Sequence, residues 1–372
     1  MTLLVGADES WPELPWRGWA ATISTLHMWV QIVGKVRMVL APPLNHWWHV
    51  PLYVSSRGLT TSAIPYGHRQ FQVDFDFVDH RLWVTDGGGS SFAVPLEPKS
   101  VARFYREFMD GLRGIGIDVR ISTKPTEVVD AIPFDTDEQH ASYDARQAEL
   151  FWRGLLQADR VMKVFQTGFV GKASPVHFFW GSFDLAASRY SGRPAPLHPG
   201  GAPNCPDWVM EEAYSREESS SGWWARSEPP GPAFYSYTYP EPDGFKSAPV
   251  RPAGAFFDER LGIFVLPYDL ARHATDPDAA AQEFFQTTYQ AGADLGGWDR
   301  STLEPAAPPD RPPRRPWSTL DPGARASSPD APPQADRVRT SARGTEPQIA
   351  THCHGEFSRT TDRTGGEPGS GT

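Results

Sequence analysis

Apolar side chains recur with a helical period of about 3.6 residues in four stretches of the chain. In each stretch this period gathers them on one face, as in a helix that packs on a core. The last stretch also has a start signal, with Asp276 as a potential N-cap and Pro277 in the first helical position. We predict helices over residues 24–40, 99–114, 140–170 and 277–295.

Between the helices, apolar and polar residues alternate with a period of two, which is typical of antiparallel strands with one covered face. The clearest case is RQFQVDFDFVDHRLWVTD, where Val73, Phe75 and Phe77 alternate with polar residues. DGGGSS at 86–91 follows one strand and leads into another, so it predicts a hairpin turn rather than a phosphate-binding loop. We expect further strands in HVPLYVSSRGLTTSAIP, AFYSYTYP and FFDERLGIFVLPYD.

The two parts of the chain repeat this order of elements. Each runs from a helix through an aromatic-rich strand that begins near a histidine to further strands and an amphipathic helix. The motif D-x-R-L occurs at 79–82 and again at 258–261. We therefore predict an α+β fold of two similar halves, 1–130 and 131–304, related by a pseudo-duplication, each an antiparallel sheet with flanking helices. A motif this short also fits a simple hairpin turn, so a chance match is the alternative.

Two regions depart from these patterns. Residues 191–250 are rich in proline and glycine but keep several aromatic residues, which predicts a long ordered lid within the second half. Residues 305–372 contain only two aromatic residues, Trp317 and Phe357. Such a composition buries too little apolar surface to offset the entropy of ordering, so we predict a disordered, proline-rich tail. Truncation after Glu304 should therefore leave the rest of the chain folded.

Charge separates the tail from the body. The tail has 9 arginines and 8 acidic residues, so the other 304 residues hold the remaining 26 basic and 37 acidic side chains, a net charge of −11. An acidic body repels a phosphate backbone, and we expect no nucleic-acid partner. No stretch approaches the roughly 20 apolar residues that span a bilayer, so we expect no membrane partner. The amino terminus lacks the basic region of a signal peptide, and two cysteines exclude a disulfide framework, which favours a cytoplasmic protein.

Several long aromatic motifs follow one another in the body: WPELPW, TLHMWVQIVGKVR, SPVHFFWGSFDLAASRYSGRP and FVLPYD. In this order they resemble a family of bacterial proteins described only as a domain of unknown function. The resemblance covers about residues 11–300 and excludes the tail. It implies a fold shared with that family, but it implies no activity and no cofactor.

The first predicted helix carries a candidate ligand-binding edge. His27, Gln31 and Lys35 are each four residues apart, so they stack along one narrow polar face. Arg37 falls among the apolar residues, where a buried guanidinium needs a carboxylate or an anionic ligand. A solvent-facing stripe is the alternative, although exposed helix surfaces usually carry more charge. We predict that one or more of these four residues line a cavity.

The segment SPVHFFWGSFDLAASRYSGR mixes polar groups with aromatic residues and predicts a central strand. On one continuous strand, His177 and Arg189 would share a face, and Trp180, Asp184 and Tyr190 the other. His177 and Asp184 would then meet only if the strand bulged at the glycine between them. One interpretation is an Asp184–Arg189 pair at a local bend beside a core histidine. The other is a pocket wall whose polar groups orient an organic ligand.

The stretch EEAYSREESS adds paired carboxylates. Its spacings could bring Glu211 close to Glu217, or Glu212 close to Glu218, on a turn or short helix. Such pairs can do acid–base chemistry when burial separates their pKa values. An exposed acidic helix is the simpler interpretation of the same composition.

Together these features predict an aromatic-lined pocket for a small ligand between the two halves, selective for an anionic or carboxylate-bearing molecule. Two alternatives stay open: a hydrolase-like enzyme that uses His177 with a carboxylate, and a non-catalytic module whose aromatic surface binds a protein. HWWH at 46–49 is too weak a spacing for a metal site, so we predict no metal, and the sequence indicates no cofactor. The candidate site residues are His27, Gln31, Lys35, Arg37, His177, Trp180, Asp184, Arg189, Tyr190, Glu211 and Glu217.

Overall fold

The four predicted helices form, with ends that differ from the prediction by a few residues. The computed structural model describes residues 10–225 and 230–305, so the predicted tail lies outside the described residues from 306 onward. Three long helices begin at a side-chain cap, where Ser100, Asp144 or Asp276 accepts a backbone N–H of the first turn. The helices are Ala20–Leu40 (α1), Val101–Gly114 (α2), Ala145–Gln166 (α3), Asp207–Ala213 (α4), Tyr268–Arg272 (α5), Pro277–Leu295 (α6) and Arg300–Leu303 (α7).

Six strands of the first half make one antiparallel sheet. They are Tyr53–Ser55 (β1), Gly58–Thr60 (β2), Ile64–Tyr66 (β3), Arg69–Asp76 (β4), Arg81–Asp86 (β5) and Ser91–Pro95 (β6). Their order is β1-β2-β4-β5-β6, and β3 pairs with the start of β4. The predicted alternation is present in β4, where Phe71, Val73 and Phe75 are buried between more exposed neighbours. Helices α1 and α2 pack against this half.

Six strands of the second half make another antiparallel sheet. They are His177–Phe179 (β7), Asp184–Pro194 (β8), Arg216–Trp224 (β9), Ala233–Tyr239 (β10), Phe256–Asp258 (β11) and Ile263–Pro267 (β12). Their order is β11-β12-β10-β9-β8-β7, and α3 and α6 pack on the sheet. Two antiparallel sheets with flanking helices confirm the predicted α+β class. None of the helices within 10–225 and 230–305 is long and apolar enough to cross a membrane.

Neighbouring edges of the two sheets are joined through the backbone. The N–H of Leu52, just before β1, donates to the carbonyl of Phe178 in β7, and the N–H of Phe178 donates back to Leu52, both at 2.9 Å. The described residues all lie within one compact unit, Met1–Arg315. The predicted boundary at residue 130 falls between the two sheets of this unit.

The duplication of the two halves stays a prediction. Each half does run from a helix through a six-stranded antiparallel sheet to a further helix. The D-x-R-L motifs, however, lie in hairpins that are not equivalent. The first connects β4 and β5 inside the first sheet, whereas the second connects β11 to β12, and β11 lies at the outer edge of the second sheet. The motif match therefore does not support the duplication, and only the order of elements does.

The region predicted as a lid, 191–250, contains two central strands, which corrects that prediction. Strands β9 and β10 occupy the middle of the second sheet. In the described part of this region, α4, a 3-10 turn at Phe245–Ser247 and irregular segments lie outside the sheet. Most of β9 is buried, yet it reads REESSSGWW. Its run of serines gives no apolar alternation, so the pattern that predicts strands is missing there.

Helix α1 packs closely on the second half of the chain. Gly34 faces Trp180, whose indole Nε1–H donates to the carbonyl of Val50 at 3.0 Å. A Cβ atom added to Gly34 would come within 2.3 Å of Trp180 Cδ1. The close approach of helix and indole therefore requires a glycine at this position.

Gly34→Ala should lower the stability of the protein, although alanine is the better helix former. The added methyl group must displace the Trp180 indole, and overpacking of this kind costs about 1–3 kcal/mol. Gly114, at the end of α2, has open space around the same position. Gly114→Ala should therefore raise the free energy of unfolding by up to about 1 kcal/mol. Urea unfolding of both variants checks this, and two shifts of the same sign would contradict the packing described here.

Candidate functional site

A cavity of about 790 Å³ opens on the face of the second sheet opposite α3. Its wall combines β7 to β10 with the carboxyl end of α1, the segments 46–50 and 122–127, and α4, so that both halves contribute. Most of this wall is apolar. The aromatic residues that line it are Trp47, Trp48, Phe179, Trp180, Tyr190, Trp208, Tyr214, Trp224, Tyr235 and Tyr237.

A hairpin replaces the single central strand predicted for HFFWGSFDLAASRYSGR. Residues 180–183 form the turn, and Phe183 adopts a left-handed conformation with φ of 59°. The turn pairs His177 with Ala186 and Phe179 with Asp184, so all four side chains share the cavity face. The glycine expected to interrupt the strand lies inside this turn. His177 and Asp184, predicted to share a face only if the strand bulged, thus share one through a reversal of the chain.

The polar edge of α1 holds this turn and the neighbouring loop in place. His27 Nε2 lies 3.0 and 2.9 Å from the carbonyl oxygens of Trp180 and Gly181, to which it donates. Burial lowers the pKa of His27 to about 4, so the ring is neutral. Gln31 pairs with both backbone groups of Thr126, its amide N–H donating to the carbonyl and its oxygen accepting the N–H, each at 2.8 Å. His27 and Gln31 therefore position the cavity wall without lining it.

Lys35 is the member of this edge that lines the cavity. Its ammonium donates to Thr126 Oγ1 at 2.9 Å and lies 5.8 Å from the centre of the Trp180 ring. Only 4 % of the residue is exposed, and burial lowers its pKa to about 8. Trp180, another candidate from the sequence, also lines the cavity.

The two buried arginines predicted as site residues lie away from the cavity. Arg37 donates to the carbonyl of Thr61 and to Ser62 Oγ. Arg189 projects from the opposite face of β8, where it donates to the carbonyl of Phe165 and lies 3.5 Å from the centre of that ring. The predicted Asp184–Arg189 pair is wrong, because residues separated by an odd number of positions point to opposite faces of a strand. Aromatic faces and carbonyl oxygens stabilise Arg189 in place of a carboxylate.

The most strongly perturbed carboxyl group of the cavity belongs to Glu218. It lies on β9 directly opposite Tyr190 and is only 4 % exposed. The hydroxyl groups of Tyr190, Ser188 and Tyr237 hydrogen-bond with it, and Tyr214 contacts Tyr237 at 2.8 Å between the two hydroxyl oxygens. Burial nevertheless raises the pKa of Glu218 to about 7, because the hydroxyl groups and the positive charge of Lys172 offset only part of the desolvation cost.

The carboxylates chosen from the sequence, Glu211 and Glu217, do not line the cavity. Glu217 points to the other side of β9, where it accepts from Ser191 Oγ at 2.8 Å and pairs with Arg193 at 2.6 Å. Glu211 lies partly exposed on α4. A strand through this stretch separates Glu217 from Glu218 by face, whereas the predicted turn or short helix does not.

A second carboxyl group lines the cavity at the start of β8. Asp184 accepts hydrogen bonds from the hydroxyl groups of Tyr235 and Ser182. Like Glu218, it is buried and held by a tyrosine from a neighbouring part of the sheet. The sheet face therefore presents two buried carboxyl groups among aromatic rings, and each accepts hydrogen bonds from hydroxyl groups.

His177 is the least satisfied polar group of the cavity. The residue is 1 % exposed, and neither ring nitrogen has a hydrogen-bond partner among the described residues. Edge-on contacts with Trp48, Tyr53 and Phe179 at 5.4–5.9 Å between ring centres fix the imidazole. Burial lowers its pKa to about 4, so the ring is neutral. The hydrolase-like alternative needs a hydrogen bond between His177 and a carboxylate, and the described residues form none.

Two aromatic rings of the wall already bind a cation on their faces. Lys172 Nζ lies 5.3 Å from the centre of the Trp48 ring and 5.0 Å from that of Tyr190. It donates to His46 Nε2 at 2.6 Å, while His46 Nδ1–H donates to the carbonyl of Ala213 at 2.7 Å. His46 and Trp47 both have left-handed backbones, with φ of 58° and 60°. Backbone strain of this kind persists where surrounding contacts enforce it, often at ligand sites.

Metal ligation has little support in the part of the chain that the structure describes. Within it, no group of three or more histidine, cysteine, aspartate or glutamate side chains is close enough to hold a metal ion. The cavity instead offers aromatic faces, the carboxyl groups of Glu127, Asp184 and Glu218, the neutral imidazole of His177 and the ammonium of Lys35. Such a set suits an organic ligand held by a few placed polar groups.

Comparison with known proteins agrees with the resemblance seen in the sequence. A family model matches residues 11–305 and describes a family of unknown function, DUF5996. The match includes every helix and strand described above and ends where the predicted tail begins. No curated protein and no solved structure matches the chain.

The buried carboxyl group of Glu218 should make stability depend on pH. Its pKa is raised on folding, so its proton favours the folded state at low pH, and this contribution is lost as pH rises towards 7. Glu218→Gln removes that dependence. As pH rises from about 4.5 to about 8, the free energy of unfolding of the variant should increase by up to about 3 kcal/mol relative to that of the wild type. Urea unfolding at both pH values measures the gap, and parallel pH profiles would refute a buried titrating Glu218.

Proposed function

The chain belongs to the DUF5996 family, and we propose that it binds a small organic ligand whose protonated amine pairs with Glu218 in the aromatic cavity. The observation that carries this proposal is the buried Glu218 carboxyl group among aromatic rings. No cation lies within salt-bridge distance of it among the described residues, and Lys172, which acts on it from farther away, leaves its pKa raised. A buried carboxylate is costly without a positive partner. A ligand ammonium supplies that partner and lowers the pKa of Glu218 as it binds.

Charge around the cavity supports a cationic ligand. Glu218 and Asp184 are both buried on its wall, and the 304 residues before the tail carry a net charge of −11. Low-dielectric walls strengthen the attraction of such groups for a cation. Lys35 is the one cationic residue among those that line the cavity in the described chain, and its ammonium is held by Thr126.

The aromatic wall supports the same ligand class. Trp48 and Tyr190 line the cavity, and their rings bind the ammonium of Lys172. Ring faces of this kind attract cations through their quadrupoles, and cages of several rings recognise amines. A concave aromatic site also favours a small ligand over the protein partner considered as an alternative.

This proposal replaces the anionic ligand expected from the sequence. That expectation rested on basic groups in the pocket wall, chiefly His27, Lys35 and Arg37 of α1. In the structure His27 is neutral, and Arg37 and Arg189 do not line the cavity. The carboxyl groups lie on its wall instead, so the preferred ligand charge is reversed.

Matched probes that differ only in the head group test the preferred charge. Phenethylamine, phenethyl alcohol and hydrocinnamate share one ring and a similar chain. We expect phenethylamine to bind at least about tenfold more tightly than hydrocinnamate, because the carboxylate probe adds a like charge beside Glu218. Affinity for the amine should rise as pH increases through 7, when Glu218 ionises. Quenching of tryptophan fluorescence and titration calorimetry measure the affinities.

Two neighbouring glutamates provide the variant and its control. Glu218→Gln should weaken phenethylamine binding by about tenfold or more. Glu217→Gln removes a carboxylate one residue away, on the other face of the same strand, and should leave binding within about twofold. Equal effects of the two changes, or tighter binding of hydrocinnamate, would show that the proposed ligand class is wrong.

A further inference from the structure

We infer that His177 is a second ligand-binding residue, which hydrogen-bonds a neutral polar group at the opposite end of the ligand from the amine. This inference rests on the proposed function for the amine end only. Its own support is a buried imidazole that lines the cavity and has no partner among residues 10–225 and 230–305. A buried polar side chain without a hydrogen bond costs free energy, and most such groups in proteins are paired.

The chemistry of His177 defines what it can bind. The ring is neutral, so one nitrogen donates a hydrogen bond and the other accepts one. The edges of Trp48, Tyr53 and Phe179 surround it, so it cannot turn towards the backbone to find a partner. A hydroxyl or amide group, which can both donate and accept, matches this site. A carboxylate matches it less well, because it only accepts.

The strand register gives the separation of the two polar ends. Glu218 lies opposite Tyr190, and His177 lies opposite Ala186, four residues earlier on β8. Four residues along a strand and two interstrand spacings put the Cα atoms of Glu218 and His177 roughly 16 Å apart. Trp48 lies between these ends, 5.9 Å from His177 and 6.0 Å from Tyr190 between ring centres. The ligand class is therefore elongated, with an amine at one end, an apolar middle and a neutral hydrogen-bonding group at the other.

Three linear probes separate the two ends. ω-Aminooctanol carries both head groups, nonylamine replaces its hydroxyl group by methyl, and n-nonanol replaces its amine by methyl. Each is titrated into wild-type protein, His177→Phe and Glu218→Gln. His177→Phe should raise the ratio of the Kd of ω-aminooctanol to that of nonylamine by about fivefold to tenfold, the effect of one lost hydrogen bond. Glu218→Gln should leave that ratio unchanged while it weakens both amines.

Thermal unfolding shows whether His177 is structural instead. Removing an unpaired buried polar group should leave Tm unchanged or raise it, whereas loss of a structural hydrogen bond should lower it. His177→Leu repeats the measurement with a smaller side chain in case phenylalanine does not fit. A ratio that neither folded variant changes would overturn the role of His177.

The two proposals fail in different ways. If ω-aminooctanol and n-nonanol bind equally and Glu218→Gln has no effect, the amine proposal is wrong. The role of His177 is then judged from n-nonanol, whose binding His177→Phe should still weaken. If nonylamine binds as predicted but the hydroxyl group makes no difference in any variant, the inference about His177 is wrong and the amine proposal stands. Failure of all three probes to bind would overturn both.

Discussion

The contact between α1 and the turn of the β7–β8 hairpin sets the geometry of the rest of the molecule. Gly34 lets the helix approach the Trp180 indole, and His27 donates to the carbonyl oxygens inside the turn. Because α1 belongs to the first half and the hairpin to the second, this contact positions the two sheets around one cavity. The same edge of α1 fixes the 122–127 loop through Gln31. Its polar residues thus support the site more than they contact a ligand.

The cavity contains buried polar groups whose desolvation costs free energy of folding. Glu218 has its carboxyl group desolvated, and His177 keeps two nitrogens without partners among the described residues. On the other face of the same sheet, Arg189 shows the contrasting solution, with ring faces, a carbonyl oxygen and Gln166 around its guanidinium. Polar groups that serve only the fold are usually satisfied in this way. Unsatisfied buried atoms also lie away from the cavity, such as Arg189 Nη1 and Trp223 Nε1 among the described residues, so what distinguishes His177 is that both of its ring nitrogens lack a partner on a cavity wall.

The sequence predicted the elements better than the site. Apolar periodicity located the four long helices, and alternation located strands such as β4 and β5, because burial of one face leaves a regular signal. Strand β9 gave no such signal, since serines and a glycine fill its buried positions. The turn at 180–183 was also hidden, because its aromatic residues continue the apolar run of the strand. These two misses explain most of the errors in the site, including the wrong face for Arg189 and the choice of Glu217.

The sign of the ligand's charge follows from those strand faces. Placed on one continuous strand, the segment from His177 to Tyr190 puts Arg189 beside His177, which favours an anionic ligand. The hairpin moves Arg189 to the helix side and puts Asp184 with His177 on the cavity side. On β9 the adjacent residues Glu217 and Glu218 face opposite sides of the sheet. Glu217 is paired with Arg193, whereas Glu218 has no cation within salt-bridge distance among the described residues. Because alternate side chains of a strand face opposite ways, one misplaced turn inverts the electrostatics of a site whose composition is unchanged.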